Sequence, residues 1–224
     1  MIGHPRVHLR LTDSTSERAR ALAAAGAPHG TLVTADEQSA GRGRQGRTWS
    51  APPKSAVLMS VVCRDVTETL PLAAAVAVCH AVPVEARIKW PNDVWIDGRK
   101  VAGILVEGRP QEGWAVLGIG LNVTTEEFPA ELNATSLRLS GAMLSREQAL
   151  AALVTSLDAW LARPAPDTIA AWRERDALLG RTVRWANGSK QGTAAGVDDS
   201  GALIVETVDG RVTLDAGEVH LSAG

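Results

Sequence analysis

Three glycines and three arginines are interleaved in the segment Gly41–Arg47, and a tryptophan, Trp49, follows closely. Glycine lets the backbone approach a ligand closely, so that successive N–H groups can converge on an anion. The guanidinium groups of Arg42, Arg44 and Arg47 suit phosphate or carboxylate, and the indole offers a flat surface to a planar ring. This pattern predicts an anion-cradling loop that is neither a P-loop nor a dinucleotide fingerprint. The alternative is a flexible basic surface loop or an RNA-contacting arginine patch.

Lysine is rare in this chain, yet Lys89 and Lys100 lie within one 12-residue segment that reverses direction. Their ammonium groups can therefore face one cleft, with Asn92 and Asp93 at the turn. The alternation of the second strand leaves Gly103 where a ligand could lie against bare backbone. Two lysines and a carboxylate opposite an arginine loop could stabilise the charge that develops in acyl-phosphate transfer. The alternative is a solvated surface hairpin in which Asp93 only caps a turn.

Strands and helices that could position these segments alternate along the first 180 residues. Apolar or alternating runs predict strands at Val7–Leu11, Thr31–Ala35, Ala56–Cys63, Lys100–Glu107 and Trp114–Gly120. Helices are predicted from a capping box at Ser14–Glu17 to about Ala25, over Thr69–Ala81, from a second capping box at Ser145, and, after Pro164 and Pro166, in a short helix ending at Gly180. Residues 38–55 and 124–140 are predicted to be long loops, and long loops are commonly functional. These patterns predict that the first part of the chain contains both strands and helices.

The sequence pattern changes near Gly180, from long strand and helix segments to short β-type runs. Five short β-type runs separated by dense turn signals predict a small closed barrel. We therefore expect two domains, residues 1–179 and residues 180–224.

The amino-acid composition argues against several classes of function. The 224 residues carry a formal net charge of −2, which opposes a nucleic-acid-binding role for the whole chain. The longest uncharged stretch, Thr69–Val84, is too short and too broken to span a bilayer, and no secretory signal is apparent. Cys63 and Cys79 lie in apolar runs without the spacing of metal ligands, so we expect a cytoplasmic protein with no bound metal and inert thiols.

Four motifs together resemble biotin–protein ligases, in the same order and at matching spacings. They are Gly41–Arg47, Lys89–Asp93, Lys100–Leu105 and Gly118–Val123. The resemblance extends over essentially the whole chain. It implies the fold class α+β: a mixed sheet with flanking helices forms a catalytic domain of the class II synthetase-like, biotin–lipoate ligase type, and an SH3-like barrel follows. It also implies ATP-dependent activation of biotin to biotinyl-AMP and transfer of biotin to a lysine of a carboxylase's biotin carboxyl carrier domain.

The resemblance also implies roles for single residues. Biotin would be bound by Ser14, Thr15, Ser16, Gln38, Arg42, Gly43, Arg44, Lys100 and Gly103. ATP and the adenylate would be bound by Arg44, Arg47, Trp49, Lys89, Asn92 and Asn122. The catalytic residues would be Arg44 at the adenylate phosphate, Lys100 at the biotin carboxylate and acyl-adenylate, and Asp93 at the incoming lysine amine. That amine is mostly protonated at neutral pH because its ordinary pKa is about 10.4. Mg²⁺ is expected with ATP.

The chain departs from the family pattern at three places. Ser16 stands where the family usually has asparagine, and Ser222 stands where relatives often have arginine. Only 12 residues precede Asp13, so we expect a form without the N-terminal DNA-binding domain of the ligase–repressors.

Other functions stay open at this point. They are a lipoate or octanoate ligase of the same fold, a non-enzymatic biotin-responsive regulator, and an arginine-rich RNA-binding module. The protein could be a monomer or a homodimer.

Overall fold

The computed structural model describes residues 1–64, 66–215, 217 and 219–221, so Ser222 lies outside the described residues. Seven strands form the first sheet: β1 (Arg6–Thr12), β2 (Leu32–Gln38), β3 (Ala56–Arg64), β4 (Arg87–Lys89), β5 (Asp93–Ile96), β6 (Arg99–Arg109) and β7 (Trp114–Asn122). Their order is β1-β2-β3-β7-β6-β5-β4. Only the pairing of β1 with β2 is parallel, and a helix joins these two strands, as a parallel connection requires.

The four helices are α1 (Thr15–Ala24), α2 (Leu70–Ala81), α3 (Arg146–Leu161) and α4 (Ala165–Arg173). Helix α1 packs on one face of the sheet, through a cluster that includes Ala19, Ala23, Val33 and Val62. Helix α2 is apolar on almost every side because it lies between the other face and α3 and α4. None of the helices in the described ranges combines the length and apolarity of a membrane span.

The predicted capping boxes have different outcomes. Ser145 and Gln148 form the box that starts α3, as predicted. At α1 the Ser14 hydroxyl accepts from the N–H of Ser16, and the Glu17 carboxylate forms an ion pair with Arg42. The capping box predicted at Ser14–Glu17 is therefore wrong in detail, although the helix that it predicted is present. Its glutamate bonds instead to the glycine–arginine loop.

The short helix predicted to end at Gly180 ends earlier, at Arg173, and Pro166 lies in its first turn. The following residues run beside β4 instead of continuing the helix. The N–H of Ile88 donates to the carbonyl of Arg175 at 2.7 Å, and Ala177 donates back to Ile88 at 2.9 Å. The backbone of this segment is satisfied by the sheet edge, which sequence periodicity does not reveal.

A second, antiparallel sheet follows. Its strands are β8 (Thr182–Trp185), β9 (Lys190–Val197), β10 (Leu203–Thr207), β11 (Gly210–Leu214) and β12 (His220–Leu221), in the order β11-β10-β9-β8-β12. Its buried residues join the main core, and the indole N–H of Trp90 donates to the carbonyl of Gly201 at 3.1 Å. The predicted fold class, a mixed sheet with flanking helices followed by a small SH3-like β module, is confirmed.

Candidate active site

A cavity of about 300 Å³ lies between the sheet, the start of α1 and the glycine–arginine loop. Every residue predicted to take part in binding or catalysis lines it: Ser14, Thr15, Ser16, Gln38, Arg42, Gly43, Arg44, Arg47, Trp49, Lys89, Asn92, Asp93, Lys100, Gly103 and Asn122. The structure thus brings together residues from four separate stretches of the chain.

One row of cross-strand partners forms the floor of the cavity. Lys89 pairs with Asp93, Asp93 with Gly103, Gly103 with Gly120, and Gly120 with Leu58. Paired residues of neighbouring strands point to the same face, so this row sets charged groups beside bare backbone. We call Gly103 and Gly120 the glycine floor.

A β-bulge brings Lys100 to the same face as Gly103. Val94 pairs with Ala102 but the next residue of β5, Trp95, pairs with Lys100, so Val101 is an extra residue in β6. In a regular strand, residues three apart point to opposite faces, and the extra residue reverses this. The Lys100 Nζ atom consequently lies 2.6 Å from the Asp93 Oδ1 atom.

The Trp49 indole lies directly on the glycine floor. A Cβ on Gly120 would come within 2.3 Å of the ring, and a Cβ on Gly103 within 2.9 Å. The Lys100 ammonium lies 5.6 Å from the ring centroid, in cation–π range. The indole N–H is buried and has no hydrogen-bond partner among the described residues. Both glycines are needed for a flat ring to lie this close to the sheet.

Neutral polar groups occupy the end of the cavity next to α1. The Gln38 Oε1 atom accepts from the backbone N–H of Thr15 at 2.7 Å and from its hydroxyl at 3.0 Å. The Ser60 hydroxyl lies 2.8 Å from the Thr15 hydroxyl and 3.1 Å from that of Ser16. Thr15, Ser16 and Ser60 are all buried. We call Thr15, Ser16, Gln38 and Ser60 the hydroxyl end.

The turn that carries Ser14 is held by Asp13. Hydrogen bonds from the Ser14 N–H at 2.7 Å and the Thr12 hydroxyl at 2.9 Å reach its carboxylate. These bonds, together with the charge of Arg18, hold the pKa of Asp13 below its usual value despite some desolvation. Asp13 therefore stays ionised at neutral pH and fixes the start of α1.

Charged groups occupy the opposite part of the cavity. We call Arg44, Lys89, Asp93 and Lys100 the charged end. The Arg44 guanidinium donates to the side chain of Asn92 at 3.3 Å and to the backbone carbonyl of Gly217, in the second β module, also at 3.3 Å. These contacts hold the arginine over the cavity.

The glycine–arginine loop is a folded structure over the cavity. Arg42 forms a bridge with Thr48, and the Gly43 N–H donates to the carbonyl of Arg47 at 2.7 Å. The Arg42 guanidinium forms ion pairs with Glu17 and, at 2.6 Å, with Glu107. The loop is thereby fixed to both α1 and β6.

The second predicted loop is bonded to the strand that carries Lys100. The Lys100 N–H donates to the carbonyl of Asn133 at 2.9 Å, and the Thr135 N–H donates to the carbonyl of Lys100 at 2.8 Å. The Asn122 amide donates to the carbonyl of Thr135 at 3.0 Å. This loop thus satisfies both the backbone N–H and the backbone carbonyl of Lys100.

No role was predicted for Ser60, Gly120 or Glu107, and Glu17 was predicted only to cap α1. Ser60 lies in an apolar run that reads as core. Gly120 lies in the motif Gly118–Val123. Its spacing of two residues from both Gly118 and Asn122 could have indicated that all three face the cavity side of one strand. No local signal connects Glu17 or Glu107 with Arg42, since those contacts span 25 and 65 residues. Among the described residues, no group of three His, Cys, Asp or Glu side chains could hold a metal ion.

Comparison with known proteins agrees with this geometry. Residues 9–123 match the biotin/lipoate A/B protein ligase family, and residues 178–222 match the biotin protein ligase C-terminal domain. The biotin–[acetyl-CoA-carboxylase] ligase of Mycobacterium tuberculosis is 36% identical over 94% of this chain and 86% of its own length. The bifunctional ligase/repressor BirA of Bacillus spizizenii is 33% identical over 99% of this chain and 75% of its own length.

A solved structure, the biotin protein ligase from Aquifex aeolicus in complex with biotin and ATP, is also similar. It superposes with a TM-score of 0.84 at 27% identity and covers 98% of this chain and 99% of its own. The N-terminal match, the C-terminal match and this superposition agree with the two sheets described above. The chain belongs to the biotin protein ligase family.

Proposed function

We propose that the protein is a biotin–protein ligase that forms AMP and pyrophosphate. It activates biotin with ATP to biotinyl-5′-AMP and then transfers biotin to a lysine of the biotin carboxyl carrier domain of an acyl-CoA carboxylase. One observation carries this proposal. A buried hydrogen-bonding end and a cationic end face each other across a glycine floor inside one cavity.

The hydroxyl end suits the uncharged head of biotin. Thr15, Ser16 and Gln38, with Ser14, offer several donors and acceptors within a few ångströms of each other. The ureido ring of biotin carries two N–H donors and one carbonyl acceptor and needs such partners when it is buried. We assign these residues, together with Arg42 and Gly43 of the loop above them, to biotin.

The charged end suits the first chemical step. Oxygen of the biotin carboxylate attacks the α-phosphorus of ATP, and pyrophosphate leaves. We assign Lys100 to the carboxylate and then to the acyl-adenylate, Arg44 to the adenylate phosphate, and Lys89 to the ATP phosphates. These cations would offset the negative charge where it develops in the transition state. The bulge at Val101 holds Lys100 for this role.

Trp49 and the glycine floor suit the nucleotide base. The indole ring of Trp49 lies against the bare backbone of Gly103 and Gly120, and its N–H has no hydrogen-bond partner among the described residues. The ring gives this part of the cavity a planar apolar surface. We assign Trp49, Asn92, Asn122 and Arg47 to ATP and the adenylate. Base–aromatic stacking is the interaction that such a surface provides.

In the second step the carrier lysine attacks the acyl carbon and AMP leaves. The amine must first lose a proton, and we assign Asp93 to orient or deprotonate it. Asp93 is half-buried and is already bonded to Lys100 at 2.6 Å. The glycine–arginine loop would exclude water from the mixed anhydride between the two steps.

Several finer points belong to the same proposal. Mg²⁺ is expected to arrive as the complex of ATP, with its charge on the phosphates. We further propose the carboxylase carrier domain as the partner, the cytoplasm as the location, and residues 1–179 and 180–224 as the catalytic and C-terminal domains.

ATP-dependent labelling of a carrier-domain lysine by biotin tests the proposal, with the labelled residue located by peptide mass spectrometry. Isothermal titration with biotin and with lipoate separates the related lipoate ligase activity. Tight binding of lipoate with no binding of biotin would replace the proposed substrate. The Mycobacterium tuberculosis relative is named as a biotin–[acetyl-CoA-carboxylase] ligase, and the similar Aquifex aeolicus structure is a complex with biotin and ATP, which favours biotin.

A further inference from the structure

Ser60 belongs to the hydroxyl end although it lies in the middle of an apolar strand. It is completely buried on β3, opposite Gly118 of β7. Its hydroxyl is within hydrogen-bond distance of both Thr15 and Ser16, at 2.8 and 3.1 Å. A Cβ on Gly118 would come within 2.8 Å of the Ser16 hydroxyl, so the bare backbone there makes room for these groups.

The direction of the first hydrogen bond in this group is fixed by a backbone N–H. The N–H of Thr15 can only donate, so the atom of Gln38 that it contacts at 2.7 Å must be the amide oxygen. The hydroxyl of Thr15 donates to the same oxygen at 3.0 Å. Thr15 has thereby used its single hydroxyl hydrogen.

The remaining directions follow from counting hydrogens. Since Thr15 has no hydrogen left, the contact between Thr15 and Ser60 requires Ser60 to donate. Ser60 then has none left, so its contact with Ser16 requires Ser16 to donate. The three hydrogen bonds form a chain with one donor direction: Ser16 donates to Ser60, Ser60 to Thr15, and Thr15 to Gln38.

This direction decides what the cavity offers to a ligand. The oxygens of Ser16 and Thr15 keep lone pairs that can accept, whereas the Gln38 amide nitrogen can donate. Ser14 accepts from the N–H of Ser16 at 3.2 Å and keeps its own hydroxyl hydrogen for donation. Acceptors beside donors complement a cyclic urea, which has two N–H groups and one carbonyl.

We propose that Ser60 is a positioning residue that fixes the polarity of this chain and so makes the hydroxyl end selective for a ureido ring. The inference rests on the proposed function, because it takes biotin as the ligand. Without the Ser60 hydroxyl, the hydroxyl hydrogen of Ser16 loses its acceptor in this chain of hydrogen bonds. It can then turn into the cavity and oppose an N–H of the ligand.

Biotin binding by Ser60→Ala tests this role. We expect the Kd for biotin to rise about tenfold, as for the loss of one buried hydrogen-bond partner. The KM for biotin should rise similarly, while kcat at saturating biotin and the KM for ATP stay within about twofold of wild type. Ser156→Ala is the matched control, because it removes a hydroxyl that donates to the carbonyl of Ala77 at 2.8 Å between two helices.

A double-mutant cycle separates positioning from general loosening. If Ser60 acts through Ser16, Ser60→Ala should change the biotin Kd by less than about twofold in a Ser16→Ala background. Should the alanine variant fail to fold, Ser60→Cys keeps a side chain of similar size with a weak hydrogen-bonding group and should raise the Kd in the same direction.

The outcomes are distinguishable. Wild-type protein that binds biotin while Ser60→Ala binds it equally tightly overturns the role of Ser60 and leaves the ligase proposal standing. Equal losses of biotin and ATP affinity, or the same loss in Ser156→Ala, overturn it as well. Wild-type protein that binds no biotin overturns both proposals.

Discussion

Buried neutral groups line one end of the cavity, and half-exposed charges line the other. Thr15 and Ser16 line the first end, and Ser60 forms hydrogen bonds with both. All three are at most 6% exposed, and they lie on a helix and a strand. The Lys100 side chain is 31% exposed and is bonded to Asp93. The hydroxyl end is therefore held by regular secondary structure and by hydrogen bonds among its own groups. The charged end holds its cations in contacts that a phosphate can replace.

This difference indicates how the two ends divide the work. Groups fixed on regular elements discriminate between ligands, since a misplaced or missing partner leaves a buried polar atom unsatisfied. Cations near the surface attract and stabilise charge, which tolerates movement of the side chain. Substitutions at the charged end should therefore reduce the rate, and substitutions at the hydroxyl end should reduce affinity for biotin.

The largest expected effect is at Lys100. Lys100→Ala should lower adenylate formation at least about 100-fold in a pyrophosphate-release assay, because the proposed role of this ammonium group is to offset the charge that develops as the biotin carboxylate reacts. Biotin affinity at the hydroxyl end should fall much less. Lys190→Ala, an exposed lysine of β9, is the control and should keep full activity. Normal pyrophosphate release by Lys100→Ala would contradict the assignment.

Asp93→Asn should separate the two chemical steps. The amide cannot accept a proton from the carrier lysine, so transfer from preformed adenylate should slow about 100-fold. Adenylate formation should change less, because Lys100 keeps its charge. Rapid-quench measurement of each step checks this. Equal slowing of both steps would show that Asp93 acts only by holding Lys100.

The glycine floor offers a graded pair of variants. Gly120→Ala should raise the KM for ATP about tenfold, because the new Cβ would lie within 2.3 Å of the Trp49 ring. Gly103→Ala should have a smaller effect, since its contact would be 2.9 Å. Steady-state kinetics with ATP varied compares them, and biotin affinity measured by titration is the internal control for Gly120→Ala. The reverse order would show that Trp49 does not set the nucleotide site.

The smallest expected effects concern Arg42. Its ion pairs with Glu17 and Glu107 are partly exposed, so Arg42→Ala should lower the free energy of unfolding by less than about 1 kcal/mol. Denaturant titration measures this. The same variant should release adenylate to solvent faster, because the loop loses its attachment to α1 and β6. A stability loss well above that figure would show that the loop holds the fold together.

Much of this site could be predicted from the sequence because its parts lie in local motifs. The glycine–arginine loop and the lysine hairpin needed only spacing and turn chemistry, whereas the fold class rested on the resemblance of four motifs to one family. Ser60 could not be predicted, since a single serine in an apolar strand gives no signal until β3 is set against α1. The bulge at Val101 was equally hidden, because the alternation of side chains alone places Lys100 and Gly103 on opposite faces.

The measurement that tests the central claim most directly is incubation of the purified protein with biotin, ATP and a carrier domain, with wild type and Lys100→Ala compared. We predict biotin on one carrier lysine, dependent on ATP and formed with wild type only. Wild-type protein that leaves the carrier unlabelled and releases no pyrophosphate in the presence of biotin would contradict the proposed ligase activity.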